Sequence, residues 1–403
     1  MQQKSPGLLQ TGPQGVVSAA HLTSIGGVPG QTHRFMPGKF GNLTTTLEME
    51  PMKKNIIAMA VAAAVAAPAA AMADTTLYGK IHASYDFFDG DNLNDRDYSL
   101  GSNSSRIGVK GKEEISDNLS LIYQWEEQID WGADGEGIGG PRNTFVGFTG
   151  DSWGTLIAGR HDTPMKMVGR KYDLFKDTVA DARAITRGKA LSGDNDWDAR
   201  TNSTVAYMTP DMGGFQAKLA YISDMANDVN NNEDAYSISA GYEIAGFMLD
   251  GAWEQQNSDA GDMEAYRIGA GYKIGGFKFV GLYQNADVIT ANPANGDQDV
   301  WGLGAGYTFA GKHTLKAQYY TADDVSGAGN EDTGADLWAV GYDYKLSKQT
   351  SVYAVYASME ADTTGNGYLL GYKTAHSAQV EQAFDRGAVE DSSAFSVGVV
   401  HKF

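Results

Sequence analysis

From Asp74 to Phe403 the sequence predicts an all-β fold, a 16-stranded antiparallel transmembrane β-barrel. Three observations predict it. Polar and apolar residues alternate with a period of two in segments of about ten residues, which puts them on opposite faces of strands. The connections between these segments alternate between short turns and long polar loops. A basic, then apolar, then small-residue segment stands immediately before Asp74 and marks the chain for export.

The export segment comes first. Met52-Lys53-Lys54 leads into an apolar run from Ile56 to Ala67, Pro68 breaks the run, and Ala71-Met72-Ala73 supplies the small residues for cleavage after Ala73. Residues 52–73 therefore read as a signal peptide rather than a membrane anchor, being short and Ala-rich for a span of roughly 20 residues. Met52 is then the expected initiator, and residues 1–51, mixed and without a period, an upstream extension expected to be disordered. The barrel is assigned to residues 74–403.

Along the barrel, Leu77, Gly79, Ile81, Ala83 and Tyr85 share one parity while Lys80, His82, Ser84 and Asp86 share the other. Strands are expected near 77–86, 106–114, 119–130, 142–149, 154–161, 201–209, 215–223 and 235–243. The second half adds 247–256, 264–273, 277–286, 299–309, 313–322, 336–346, 350–359 and 394–403. A soluble sandwich would alternate in the same way. The connections decide between them: short turns such as Ile115–Asn118 and Ile244–Gly246 follow even-numbered strands, and long loops such as Phe87–Ser105, Asp162–Arg200, Asp287–Gln298 and Glu360–Ser393 follow odd ones. Turns on one rim and loops on the other belong to an up-and-down membrane barrel. Closure pairs every backbone group in lipid, and sixteen strands leave a lumen too wide for side chains to fill.

Composition closes off other classes. The net charge of -19 argues against a nucleic-acid partner, whose phosphates need clustered Lys and Arg. The absence of cysteine removes disulfides, thiolate metal sites and cysteine nucleophiles. No phosphate loop, metal-ligand cluster or dinucleotide fingerprint in a strand-to-helix setting is apparent, so neither cofactor nor metal is expected. An enzyme of the outer membrane would need a nucleophile or activated water beside a histidine and a carboxylate; His161-Asp162 is the single adjacent pair after residue 73.

Several ordered segments carry a family resemblance. They are Leu77-Tyr78-Gly79; Ser105-Arg106-Ile107-Gly108 with Gly111 and Glu114; and Phe145-Val146-Gly147-Phe148. Gly154-Thr155-Leu156 runs through Gly159-Arg160-His161-Asp162-Thr163-Pro164, and Arg200-Thr201-Asn202-Ser203-Thr204-Val205-Ala206-Tyr207 is followed by Pro210 and Gly214-Phe215. In this order and spacing they resemble the Gram-negative general porins of the outer membrane. The resemblance implies a homotrimer of sixteen-stranded barrels whose third loop folds inward. It also implies that terminal Phe403 is an assembly signal read by the outer-membrane insertion machinery.

A pore has no chemical step, and its selectivity comes from width and from charges where it is narrowest. The third loop offers Asp162, Lys166, Arg170, Asp173, Asp177, Asp181, Arg183 and Arg187, with Lys171, Lys176 and Lys189 among them. The facing wall offers Lys80, Arg106, Lys110, Arg142 and Arg160, although the parity of Arg160 is ambiguous because Leu156 and Ala158 share it. Acids on the loop opposite bases on the wall would set a transverse field that sorts ions. The expected function is passive diffusion of small hydrophilic solutes, with a channel specific for sugars or organic acids as the alternative. Acidic outer loops would favour cations while the basic wall favours anions, so the ion preference stays open. Those loops are expected to present an anionic face toward lipopolysaccharide. Aromatics including Tyr78, Tyr85, Tyr221, Tyr272 and Tyr307 are expected in two interfacial girdles.

Overall fold

Alternating side chains need two different surroundings, and a closed barrel supplies them. In the computed structural model the described residues are 75–90, 97–131, 137–188, 196–225, 233–258, 261–289, 296–327, 332–362, 368, 370–371 and 391–403. The expected signal peptide and upstream extension lie outside them, as does Lys189.

Eighteen strand segments form one antiparallel sheet, and two barrel strands are each broken into two segments, which leaves sixteen. They are β1 (Thr75–Gly90), β2 (Asp97–Ser102 and Arg106–Ser116), β3 (Leu119–Asp130), β4 (Gly137–Pro141 and Thr144–Gly150) and β5 (Gly154–Asp162). Helices α1 (Pro164–Tyr172) and α2 (Arg183–Thr186) follow. Then come β6 (Arg200–Met208), β7 (Phe215–Ile222), β8 (Ala235–Ile244), β9 (Phe247–Gln256), β10 (Asp262–Ile274) and β11 (Phe277–Ile289). The last are β12 (Asp297–Phe309), β13 (His313–Ala322), β14 (Ala335–Lys345), β15 (Thr350–Ala361) and β16 (Asp391–Lys402). Each pairs with its neighbours in sequence, and β1 pairs with β16 from Lys80↔Lys402 to Gly90↔Ser392, closing the sheet. Phe403 extends that seam, its backbone exchanging hydrogen bonds of 3.0 and 3.1 Å with Gly79.

Burial separates the two faces. On β9, Phe247 and Leu249 are exposed while Met248, Asp250, Ala252, Glu254 and Gln256 are buried. On β1, Leu77, Ile81, Tyr85 and Phe87 are exposed while Lys80, His82, Ser84 and Asp86 are buried. A surface of exposed large apolar side chains over a buried polar face is the reverse of a water-soluble domain and suits a barrel in lipid. No helix among the described residues is long and apolar enough to cross a membrane. Tyr85, Tyr221, Tyr272 and Tyr307 lie on the exposed face, but Tyr78 shares the buried parity of Lys80 and donates to Glu126 Oε2 at 2.9 Å.

The short turns are tight. Ala245-Gly246 joins β8 to β9 with φ of 49° and 86°, the paired positive values that match the twist of a two-residue hairpin. A Cβ on Gly246 would stand 2.3 Å from the Lys273 carbonyl oxygen, so the position has no room for a side chain.

The first long connection is shorter than expected. β1 runs on to Gly90, and residues 97–102 pair with it. Between the two segments of β2, Asn103 turns its amide nitrogen to Ser84 Oγ (2.7 Å), and Ser104 adopts a φ of 53°. The fourth strand likewise begins at Gly137, and its Gly-rich first segment pairs with β3 across an irregularity at Glu127/Ile129. Both segments are rich in Gly or Ser, residues that ordinarily mark loops, and here the ladder to a long neighbour holds them extended.

Candidate functional site

The connection between β5 and β6 starts with a helix that its own sequence caps. Thr163 Oγ1 accepts from Lys166 N at 3.2 Å, and Pro164 takes the first helical turn, where its missing N–H is no loss. Met165, Val168 and Tyr172 recur at helical spacing and are all buried, whereas Met167 and Arg170 face a cavity. The apolar residues join Phe175, Val179, Ile185 and Trp197 in one cluster with wall residues such as Met248, Val280, Leu282, Leu337 and Val355. Gly269 permits the approach: a Cβ there would stand 2.2 Å from the Tyr172 ring.

Polar contacts fasten the same segment to buried wall groups. Met165 N donates to Ser237 Oγ (3.2 Å), Tyr172 Oη to Asp250 (2.5 Å), Leu174 N to Gln318 Oε1 (3.1 Å) and Gln318 Nε2 to the Ala180 carbonyl (2.9 Å). Near the chain's end, Leu370 is buried in the same cluster and Gly371 N donates to the Val179 carbonyl.

The charges of the segment are paired at short range. Asp177, at a φ of 59°, accepts from Lys80 Nζ on β1 (2.8 Å) and from Arg170 (2.9 Å), with Arg183 at 3.3 Å. Asp181 is wholly buried and accepts from Arg183 at 2.6 Å and Arg170 at 2.9 Å. Burial alone would raise both carboxyls. The facing bases outweigh it: Arg170, Lys80 and Arg183 hold Asp177 well below the usual carboxylate range, and Arg183 and Arg170 hold Asp181 at about 2. Asp173 differs. It accepts from the backbone of Phe175 and Ala182, and burial together with the charge of Asp181 pushes it up to about 6. Lys166 falls to about 8 because burial outweighs Asp162, 3.0 Å away.

Beside the segment lies a polar cavity of about 810 Å³. Its wall contributes Arg106, Arg142, Arg160 and Arg200, and the segment contributes Lys166, Arg170, Lys171, Lys176 and Arg183. Among the described residues three acids, Asp130, Asp162 and Asp177, line the cavity with these nine bases, while Glu126, Asp181 and Asp250 pair with Arg142, with Arg170 and Arg183, and with Lys171 from outside the lining. Arg160 reaches the cavity through a bulge. The register of β5 against β6 shifts between Gly159 and His161 because β6 carries the extra residue, Asn202 and Ser203 both standing across from Arg160, with φ of 146° at Gly159 and 50° at Ser203. Arg160 then donates to the Pro141 carbonyl and to Asn202 Oδ1, both at 2.8 Å. Arg142 lies between the two segments of β4 and donates through Nε to Glu126 (2.7 Å), whose other oxygen is 3.5 Å from Arg106.

Lys80, Arg106, Arg142, Arg160, Asp162, Lys166, Arg170, Asp177, Asp181 and Arg183 thus lie in or directly against one charged cavity. Lys110 lies elsewhere. It is four residues along β2 from Arg106, about 13 Å at strand rise, and its ammonium sits 5.2 Å from the Tyr78 ring centroid. Asp173 and Arg187 are buried within the loop and do not line the cavity. Three participants are absent from the site residues expected from the sequence. Arg200 binds Asp162 (3.0 Å), Glu126 bridges two arginines, and Arg267 forms a buried pair with Asp198 at 2.9 Å. Arg267 carried a signal, since an arginine on the polar parity in mid-strand must face the barrel's interior.

The family description of the Gram-negative porins matches residues 58–364. Outer membrane porin protein 32 of Delftia acidovorans is 28% identical over 373 residues, which cover 87% of this chain and 100% of that protein. The major outer membrane protein P.IB of Neisseria meningitidis serogroup B is 27% identical over 323 residues, 74% of this chain and 91% of that protein. Among solved structures, an anion-selective porin from Comamonas acidovorans superposes with a TM-score of 0.70 at 23% identity, covering 82% of this chain and 99% of that one. The trimer form of OmpT from Vibrio cholerae superposes with a TM-score of 0.60 at 19% identity over 82% of this chain and 99% of that one. The sixteen-strand closure, the apolar outer face and these matches agree: the chain belongs to the Gram-negative porin family and forms a passive channel through the outer membrane.

Proposed function

We propose that this channel is a general-diffusion pore that prefers anions, with the segment between β5 and β6 as its constriction. One observation carries the reading: nine bases against three acids line the cavity of a chain whose net charge is -19. Charge of one sign beside low-dielectric walls concentrates the opposite ion, and position inside the passage counts for more than the chain's total. The structurally similar protein from Comamonas acidovorans is an anion-selective porin, which points the same way. The residues read as constriction are Asp162, Lys166, Arg170, Asp177 and Arg183, facing Arg106, Arg142, Arg160 and Arg200. Lys80 anchors Asp177 from the wall.

General diffusion is favoured over a sugar channel because no aromatic ring lines this cavity among the described residues. A channel rather than an enzyme is favoured by the setting of His161, whose Nδ1 lies 2.8 Å from the Asp162 carbonyl and whose ring packs on Phe145. Assembly as a trimer follows by analogy with the trimeric OmpT. Export through residues 52–73, recognition of Phe403 by the insertion machinery and an acidic outer rim toward lipopolysaccharide complete the reading.

The test is the reversal potential of single channels in a salt gradient, with Arg106→Ala and Arg160→Ala beside the natural protein. The reading expects an anion-selective potential that both substitutions diminish. An unchanged potential in both would remove these residues from the selectivity role.

A further inference from the structure

We infer that Arg267 is the positioning residue that fixes where the inward segment stands, and thereby sets the width and charge of the passage. The inference rests on the constriction reading above. Arg267 is on β10, wholly buried, and outside the cavity lining. Nη1 donates to the Met165 carbonyl at 3.1 Å and to Asp198 Oδ1 at 2.9 Å, and Nη2 to the Thr186 carbonyl and Asp198 Oδ2, both at 3.2 Å. Met165 is in the first turn of α1, Thr186 ends α2, and Asp198 lies on the returning limb. One side chain therefore ties the outgoing limb, the middle and the return of the loop to a single point on the wall.

Four of its six hydrogen bonds go to the loop, and the other two hold the guanidinium itself, both to Gln284 on β11. Gln284 in turn donates to the Thr186 carbonyl at 3.0 Å. A side chain that merely stabilised the sheet would spend its donors on neighbouring strands. The planar fork suits this work because it serves a carboxylate and two carbonyls at once, which a lysine ammonium cannot do in one plane. Lys166 and Arg170 flank the anchored turn of α1 and line the cavity, so any tilt of the helix about Arg267 moves them.

Gly169 gives independent access to the same contact. A Cβ there would stand 2.2 Å from Arg267 Nη1 and 3.1 Å from Asp198 Oδ1, so α1 approaches the guanidinium too closely for any side chain at 169. Gly169→Ala disturbs the clamp while removing neither a charge nor a hydrogen-bonding group. In the double variant with Arg267→Met, the methyl group has no guanidinium left to strike.

The experiment is single-channel recording of the full exported chain in planar bilayers under a potassium chloride gradient. It compares the natural protein with Arg267→Met, Gly169→Ala and the double variant, each first checked for heat-resistant folded protein. Each single variant is expected to lose the uniform conductance level and to shift the reversal potential, while the double is no worse than Arg267→Met alone. If Arg267→Met does not assemble, Gly169→Ala decides by itself. Natural conductance and potential in Gly169→Ala overturn the proposal, as does a double variant whose shift is the sum of the singles. The anion reading fails or stands on the natural protein's own potential, whereas this inference concerns only differences from that value.

Discussion

Lys80 Nζ lies 2.8 Å from Asp177 Oδ2, joining the first strand of the barrel to the middle of a loop 97 residues further along. Both side chains are nearly buried, so the contact works in a medium that screens charge poorly. Lys80→Met should cost about 3 kcal/mol, the low end for breaking a buried pair, because Asp177 keeps Arg170 and Arg183. The midpoint of guanidinium unfolding measures it. Combining the change with Asp177→Asn should cost less than the two singles together.

Asp173 predicts a pH dependence. Its carboxyl is raised from the ordinary 3.8 to about 6, by burial first and by Asp181 second. A raised acid stabilises the fold fully below 3.8 and loses that contribution as pH climbs through about 6. Asp181, held at about 2 by Arg183 and Arg170 against its burial, acts oppositely: its contribution is present above 3.8 and lost as pH falls toward about 2. Open-channel current noise should therefore grow between pH 3.8 and about 6, and Asp173→Asn should abolish that rise. Growth of equal size in Asp173→Asn would assign the effect to another group.

Glu126 is the acid that restrains the basic wall. It accepts from Arg142 at 2.7 Å and from Tyr78 at 2.9 Å, and stands 3.5 Å from Arg106. Glu126→Gln keeps the shape and removes the charge, so the ratio of chloride to potassium permeability should rise. A fall would mean that Glu126 acts by orienting the arginines and that their geometry outweighs its charge.

At the seam, a Cβ on Gly79 would lie 2.4 Å from Phe403 Cζ and 2.8 Å from the Arg106 carbonyl oxygen. The ring can move, but the backbone oxygen cannot move freely. Gly79→Ala should destabilise the closed barrel by about 1–3 kcal/mol, as overpacking does, and lower the fraction of heat-resistant protein on gels. Phe403→Ala in the same background should recover part of that loss if the ring is the main obstacle.

The strands were legible because their signal is local: alternation at Leu77–Asp86 or Phe215–Tyr221 needs no knowledge of the rest of the chain. Asp97–Ser102 and Gly137–Pro141 were not, since Gly and Ser lack a strand pattern and only pairing with a neighbour extends them. The direction of Arg160 depends on a bulge that no parity count contains. Lys110 has the inward parity but the wrong height, a coordinate fixed by the stagger of strands around the barrel. The loop was visible as a long connection carrying charges. Its apolar content, from Met165 through Phe175 to Trp197, was equally visible, but its packing against Leu282, Leu337 and Val355 joins residues far apart in sequence. The charged cavity lies beside Arg106, Arg142 and Arg160.

The most direct test of the central claim is the reversal potential of the natural protein in a planar bilayer separating concentrated from dilute potassium chloride. Nine bases against three acids predict that chloride crosses faster, leaving the dilute compartment negative. A positive dilute compartment would show potassium crossing faster and would contradict the account.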